Sequence, residues 1–359
     1  MEKDDIIYRD LQKHLDSMPI GFPPSEDGSD IRVLKAYFTP EEAVLATYLN
    51  FIPVPLSKIY SSTKDSGLSL DETKEKLDIM VEKRIIFKDI DPKTKEESYG
   101  NLPYAIGFFE NQVNRLSKEM AEAGEDYGVV FIREFLGEKT GIPQMRTVPI
   151  NTAITYENKI MNYDDARKIL DSVEGPYAVA PCVCVQSKEL VGITCKHDML
   201  ERCMVNNQNY LDRGDARKIT KAEAFEILEK AMEIGLAIQP GNSKNAGGFC
   251  LCCGCCCGIL SDAKKLDTPA RLFATNYFSE VDEEQCTGCG TCLEYCPMDA
   301  IKVNKISHIS KERCIGCGVC VPKCPSEAIH LRNKEKVITP PDNSIDMMIK
   351  IAKKKKELR

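Results

Sequence analysis

Apolar residues recur at helical spacing through most of the first eighty positions. Ile7, Leu11 and Leu15 step by four, predicting a helix over Asp4 to Met18 that Gly21-Phe22-Pro23-Pro24 ends. Thr39-Pro40-Glu41-Glu42 carries a helix start, with Thr as N-cap, Pro at the first turn and Glu positioned to close a capping box. That helix runs through Ala43, Leu45 and Leu49, and a shorter one follows at Leu56 to Ser62. Ser69-Leu70-Asp71-Glu72 repeats the capping signal and opens a helix to about Arg84. Ile85-Ile86-Phe87 then reads as extended, Lys88 to Glu97 as a charged turn, and Tyr99 to Phe109 as an aromatic return.

Three helices followed by a two-stranded ribbon is the order of a winged helix-turn-helix. Charge separates its two uses. Through residue 100 there are 20 acidic and 14 basic side chains, and Asp71 to Arg84 holds five acids against four bases. A DNA reader needs net positive charge facing phosphate, so this composition favours protein docking over DNA binding.

Farther on, Glu110 to Tyr127 has a helical pattern, and Val129 to Phe135 reads as an amphipathic connector. Val148 to Asn151 looks extended, Asp164 to Val173 helical, and Tyr177 to Ala180 a strand. Asn206 to Thr220 is polar and loop-like. Thr220-Lys221-Ala222-Glu223 predicts a third capping box, whose helix ends at Gly235 in a left-handed C-cap before Leu236-Ala237-Ile238 extends away. Phe278 to Val281, Ile301 to Val303 and Ile329 to Leu331 are short strands. Ser344 to Arg359 is an amphipathic helix with Ile345, Met348 and Ile351 on one face, ending in Lys353 to Lys356, favoured at a helix C-terminus.

Cysteine changes this picture most. The chain has 18, all between Cys182 and Cys324. The charged start MEKDDIIYRD has no apolar run behind it, so no signal peptide is expected, and no run of eighteen apolar residues spans a membrane. Cysteine richness without a secretion signal predicts metal ligands in a reducing cytoplasm rather than disulfides. The net charge of −7 gives no general attraction to nucleic acid.

Cys286, Cys289, Cys292 and Cys296-Pro297 recur 28 positions later as Cys314, Cys317, Cys320 and Cys324-Pro325. This duplicated C-x2-C-x2-C-x3-C-P has the spacing that binds [4Fe–4S] clusters, with the fourth cysteine of each run serving the other cluster. Cys286, Cys289, Cys292 and Cys324 should therefore hold one cluster, and Cys314, Cys317, Cys320 and Cys296 the second. A zinc ribbon wants two separated CxxC pairs and fits poorly. His308 and His330 read as ordinary strand residues.

A middle set, Cys182, Cys184, Cys195 and Cys203, lies within 22 residues. A third [4Fe–4S] cluster is the favoured reading; a zinc site that includes His197 and a group of buried free thiols are the alternatives. Cys250, Cys252, Cys253, Cys255, Cys256 and Cys257 crowd into eight residues. They suit an additional cluster, shared ligands for the middle site, or thiol chemistry and packing.

The segment from Glu280 to Leu331 resembles the two-[4Fe–4S] bacterial ferredoxins. More widely, YRDLQ…MPIGFP, FTPEEA, PCVC…C…ERCM and CLCCGCCCGIL in this order resemble a family of multi-cluster iron–sulfur proteins of anaerobic archaea and bacteria. Val185 departs from that pattern, which is expected to carry Arg after the CxC pair. The resemblance implies electron transfer and names no substrate.

Together these readings predict an α+β chain: a winged-helix-like docking domain over 1–110, a small α+β cysteine-rich domain over 111–265, a ferredoxin domain over 275–335 and a basic helix over 342–359. The expected function is passage of single low-potential electrons along at least two, and up to four, [4Fe–4S] clusters. Redox partner proteins in a multi-subunit anaerobic oxidoreductase would be its partners. No GxxxxGK[ST], GxGxxG or CxxxCxxC occurs, so nucleotide and radical chemistry would belong to a partner. A redox-sensing winged-helix regulator, and an enzyme using the CCGCCC stretch for thiol or cluster-assembly chemistry, are the rival readings.

Overall fold

The computed structural model describes residues 3–64 and 67–358. The chain divides into two compact units, Met1–Glu134 with Ile351–Arg359, and Phe135–Lys350. The contacts thus place the first boundary beyond residue 110, and they join the cysteine-rich and ferredoxin segments in a single unit.

In the first unit, helices Lys3–Asp16, Ser29–Tyr37 and Pro40–Ala46 precede a short strand β1 (Val54–Pro55), helices Leu56–Thr63 and Leu70–Glu82, and the ribbon β2 (Ile86–Ile90) and β3 (Glu97–Asn101). The three strands form an antiparallel sheet in the order β1-β3-β2. Both expected capping boxes form: Thr39 and Ser69 each accept from the amide three residues on, and Glu42 and Glu72 return the bond. The 110–135 stretch differs from its reading. It begins as a 3-10 turn at Glu110–Gln112, and one helix, Lys118–Phe135, then runs through the apolar connector. Its face carries Tyr127 and Phe131 into an aromatic core with Phe22, Tyr37, Tyr104 and Phe108, where Phe22 and Tyr127 centroids lie 4.7 Å apart and Tyr104 and Phe131 5.0 Å. Burial of large rings, rather than local propensity, carries the helix through Val129 to Phe135.

The C-terminal helix Ser344–Glu357 buries Ile351 of the expected face but turns Met347 inward in place of Ile345. Met347 and Ile351 are buried, while Ile345 is 70% exposed. Of its lysine run, Lys355 reaches Glu134 at 2.9 Å and donates to the carbonyls of Asp16 and Met18. The break at Gly21 fits around this pair. A Cβ there would stand 2.6 Å from Lys355 Nζ, and the Gly21 amide donates to Glu134.

The second unit contains a five-stranded antiparallel sheet in the order β6-β4-β5-β8-β7, where β4 is Ala178–Pro181, β5 Glu201–Val205, β6 Arg217–Lys218, β7 Ala237–Pro240 and β8 Gly248–Cys252. Cys203 therefore lies on a strand, β5. Helix Lys221–Glu233 ends at Gly235 with φ 88°, as expected. Its capping box is only half made: Thr220 accepts from the Glu223 amide, but the Glu223 carboxylate pairs with Arg217 at 2.6 Å instead.

The ferredoxin segment has two separate ribbons. β9 (Tyr277–Val281) pairs with β12 (Ile329–Asn333), and β10 (Ile301–Asn304) with β11 (Ile306–Ile309). An extended segment over 144–151 stitches it to the sheet. Arg146 and Val148 amides donate to Pro240 and Ile238, while Thr147 and Ile150 amides donate to Ala274 and Cys317. Successive residues of an extended chain point opposite ways, so one segment bonds two neighbours. That is why two expected domains form one unit.

Candidate iron–sulfur and thiolate centres

In the ferredoxin segment, a single cavity is lined by Cys296 from the first run and by Cys314, Cys317 and Cys320 from the second, with Ile301, Ile309 and Ile315 around them. The structure thus brings together the four cysteines that the crossed pattern predicts for one cluster. Main-chain amides donate to the sulfurs in matched pairs. Ala300 donates to Cys296 at 3.2 Å and Ala328 to Cys324 at 3.3 Å. Ser307 donates to Cys286 at 3.3 Å, and Ser279 to Cys314 at 3.4 Å. The Ser307 hydroxyl lies 3.3 Å from Cys292, and the Ser279 hydroxyl answers at Cys320. Both serines are buried strand residues, one in each ribbon. The repeat in the cysteines announces the symmetry; the serines, 28 positions apart like the motifs, were missed.

Four thiols round one apolar cavity are the donor set of a [4Fe–4S] cluster. Gly288 and Gly316 lie at φ 68° and 67°, and a Cβ would fall 1.9 Å from the Lys305 carbonyl oxygen and 2.2 Å from that of Tyr277. We expect Gly288→Ala and Gly316→Ala to lose iron and to cost more than the about 1–2 kcal/mol of left-handed backbone alone, because a fixed carbonyl must move. Gly290→Ala, where the nearest atom is 3.8 Å away, should show only the backbone cost. Iron content and thermal unfolding of the three variants check this.

The two halves differ in exposure. Cys289 is exposed, whereas Cys314, Cys317 and Cys320 are buried. Burial pushes the Cys317 and Cys320 thiols up, while the Ser307 amide holds Cys286 below the usual thiol range.

The other ten cysteines separate into two groups, and the partition is not that of chain order. Cys250 and Cys252 alternate on β8, and Cys203 faces Cys250 across β5, so all three share one sheet face. Thiol contacts continue as a row from Cys203 through Cys250, Cys252, Cys257 and Cys184 to Cys182. Cys182 is the N-cap of helix Val183–Leu190, and Cys257 that of Gly258–Ala263, so two helix starts meet at this row. Val185 is buried, and what it brings to Cys182 is its amide.

Cys253 falls just past the end of β8 and leaves the row. It gathers with Cys255, Cys256 and Cys195, the four sulfurs all within 4.8 Å of one another. Cys195 lies 3.8 Å from both Cys253 and Cys255. Cys195 therefore parts from Cys182, Cys184 and Cys203, with which the sequence grouped it. His197 is not in the set; its ring bonds the Ile234 backbone, while its amide donates to Cys195 at 3.5 Å. Arg202, fully buried, donates to Cys195 at 3.1 Å and Cys253 at 3.2 Å, and also to the carbonyls of Met199 and His197. Burial tends to raise the Cys195 thiol, but the His197 amide and the Arg202 guanidinium outweigh it and bring it below the ordinary value. Arg202 was not singled out from the sequence, though a charged residue inside the ERCM frame was its visible signal.

Gly254 connects this group to the ferredoxin. A Cβ there would stand 2.6 Å from the Pro297 carbonyl oxygen, so the loop rests against the residue that follows Cys296.

Residues 279–331 match the 4Fe-4S dicluster domain family. No curated protein and no solved structure matches the chain. This segment is a C-terminal ferredoxin-like iron–sulfur domain within a mixed α and β chain, and among the described residues no helix is long and apolar enough to cross a membrane.

Proposed function

We propose that this protein passes single low-potential electrons as a subunit or partner of a larger anaerobic oxidoreductase. The observation that carries the reading is the dicluster segment with four cysteines of both runs lining one cavity. Bound there, [4Fe–4S] clusters supply one-electron chemistry, with potentials of order −400 mV. Around them the chain's own residues divide the work. Cys289 is exposed, so the Cys286, Cys289, Cys292 and Cys324 site is the face offered to a redox partner. Cys296, Cys314, Cys317 and Cys320 form the inner site, which apolar side chains shield from water. Gly254 against Pro297 keeps the remaining cysteines close to that inner site. The row of Cys182, Cys184, Cys203, Cys250, Cys252 and Cys257 offers more than the four thiolates a third cluster needs.

The first unit supports docking. Helices Leu56–Thr63 and Leu70–Glu82 followed by the β2–β3 ribbon are the order of a winged helix, and we assign it that fold. The cations of its second helix are engaged: Lys74 pairs with Asp78 and Glu97, Lys76 with Glu41 and Lys83 with Glu42, while Arg84 donates to the Asn111 carbonyl. Phosphate would have to displace these carboxylates, which favours a protein partner over DNA.

The test is a redox titration of the anaerobically purified full chain followed by electron paramagnetic resonance. Reversible one-electron signals at low potential are expected. Clusters that cannot be reduced reversibly would sink the reading. Gel retardation with genomic DNA, before and after air exposure, should show no shift; a redox-dependent shift would favour the regulator instead.

A further inference from the structure

The tight set of Cys195, Cys253, Cys255 and Cys256 has a geometry that separates it from a cubane site. Four sulfurs each about 2.3 Å from one tetrahedral metal stand about 3.8 Å apart. Cys195 lies at that distance from Cys253 and from Cys255, and every pair in the set is within 4.8 Å. In a cubane each thiolate binds a different iron, so iron–iron edges spread the four sulfurs further apart. The protein carries its own comparison: Cys296, Cys314, Cys317 and Cys320 line one cavity, yet among the described residues only the Cys195 set draws in so closely.

We propose that Cys195, Cys253, Cys255 and Cys256 form a mononuclear tetrahedral thiolate site that holds one divalent metal ion, zinc or iron, with no inorganic sulfide. An all-sulfur tetrahedral donor set selects these metals, and four protein ligands leave no open position for substrate. Four thiolates around a divalent ion leave two excess negative charges in a partly buried site. Arg202 supplies a positive charge against two of the sulfurs, and the amides of His197 and Cys256 donate to Cys195 and Cys253. Three ligands come from a loop of four residues and the fourth from the loop after helix Val183–Leu190. The metal would thus tie the loop that rests on Pro297 to the loop between helix Val183–Leu190 and β5.

The proposal stands apart from the electron-transfer reading, because cubane clusters add iron and sulfide in equal numbers. Zinc, iron and acid-labile sulfide are counted on the anaerobically purified full chain. Metal exceeding sulfide by one per chain is expected, as one zinc or as one unmatched iron. Equal iron and sulfide with no zinc overturns the proposal, whether or not the ferredoxin clusters are present. The Cys255→Ala/Cys256→Ala variant should lose that one metal and keep its sulfide; loss of about four irons with matching sulfide would show a cubane instead. If the variant does not fold, native mass spectrometry of the unaltered chain decides, by whether the metal mass bound exceeds whole clusters by a single ion.

Discussion

Cys296→Ala should strip the inner cluster: about four irons and the matching sulfide are lost per chain, and the outer site keeps its signal. Cys296 belongs by sequence to the first run, but it lines the cavity of Cys314, Cys317 and Cys320. Single variants at Cys286 and Cys296 would each lose about four irons, so the pairing is read from double variants. Cys296→Ala with Cys314→Ala should lose no more iron than either alone, since both ligate one cluster. Cys296→Ala with Cys286→Ala should lose both clusters. The reverse result, additive loss in the first pair and none beyond the single in the second, would mean that each run serves its own cluster.

Asp164→Ala should be the most destabilising change away from any cysteine. Asp164 pairs with Arg146 at 2.6 Å, and both side chains are almost fully buried, at 4% and 3% exposure. It also accepts from Asn276 at 2.8 Å and from the Tyr277 hydroxyl at 3.1 Å, just where the ferredoxin's first strand begins. Removing it leaves a buried guanidinium without its carboxylate and takes one acceptor each from Asn276 and Tyr277, which keep the carbonyls of Ile338 and Lys159. Loss of one partner of such a pair costs about 3–5 kcal/mol. At 2–4 °C per kcal/mol for a unit of this size, the second unit should melt roughly 6–20 °C lower. Thermal unfolding under anaerobic conditions measures this. The double variant Arg146→Met/Asp164→Leu should recover part of the loss, because it leaves no unpaired charge. A single-variant drop under about 1 kcal/mol would show that water reaches the pair.

These two expectations differ in how they could be reached. The crossed cysteine pairing was legible because a duplicated motif carries it: three thiols at short fixed steps serve one cluster, and the fourth of each run serves the other. Helix starts were legible from short patterns too. Thr39 and Ser69 each close a box with a Glu three residues on, and no distant residue decides it. A competing cation can break the local rule, as when Arg217 draws Glu223 out of its box, although Lys83 pairs with Glu42 and leaves the Thr39 box closed. The C-terminal helix shows the same limit: its period and Ile351 were visible, but packing chose Met347 over Ile345.

By itself, the sequence determined that Cys286 to Cys324 carries an iron–sulfur ligand pattern of the ferredoxin kind, that the remaining cysteines lie upstream of it, and where several helices begin. Those are matters of spacing within a dozen residues. Only the tertiary structure decided which of the ten upstream cysteines stand together. Strand register sets Cys203 against Cys250, the end of β8 at Cys252 releases Cys253 to the other group, and the fold delivers Arg202 and Cys195 to meet it. A one-residue shift of pairing would exchange the faces, and register depends on burial across the whole sheet rather than on any run of residues.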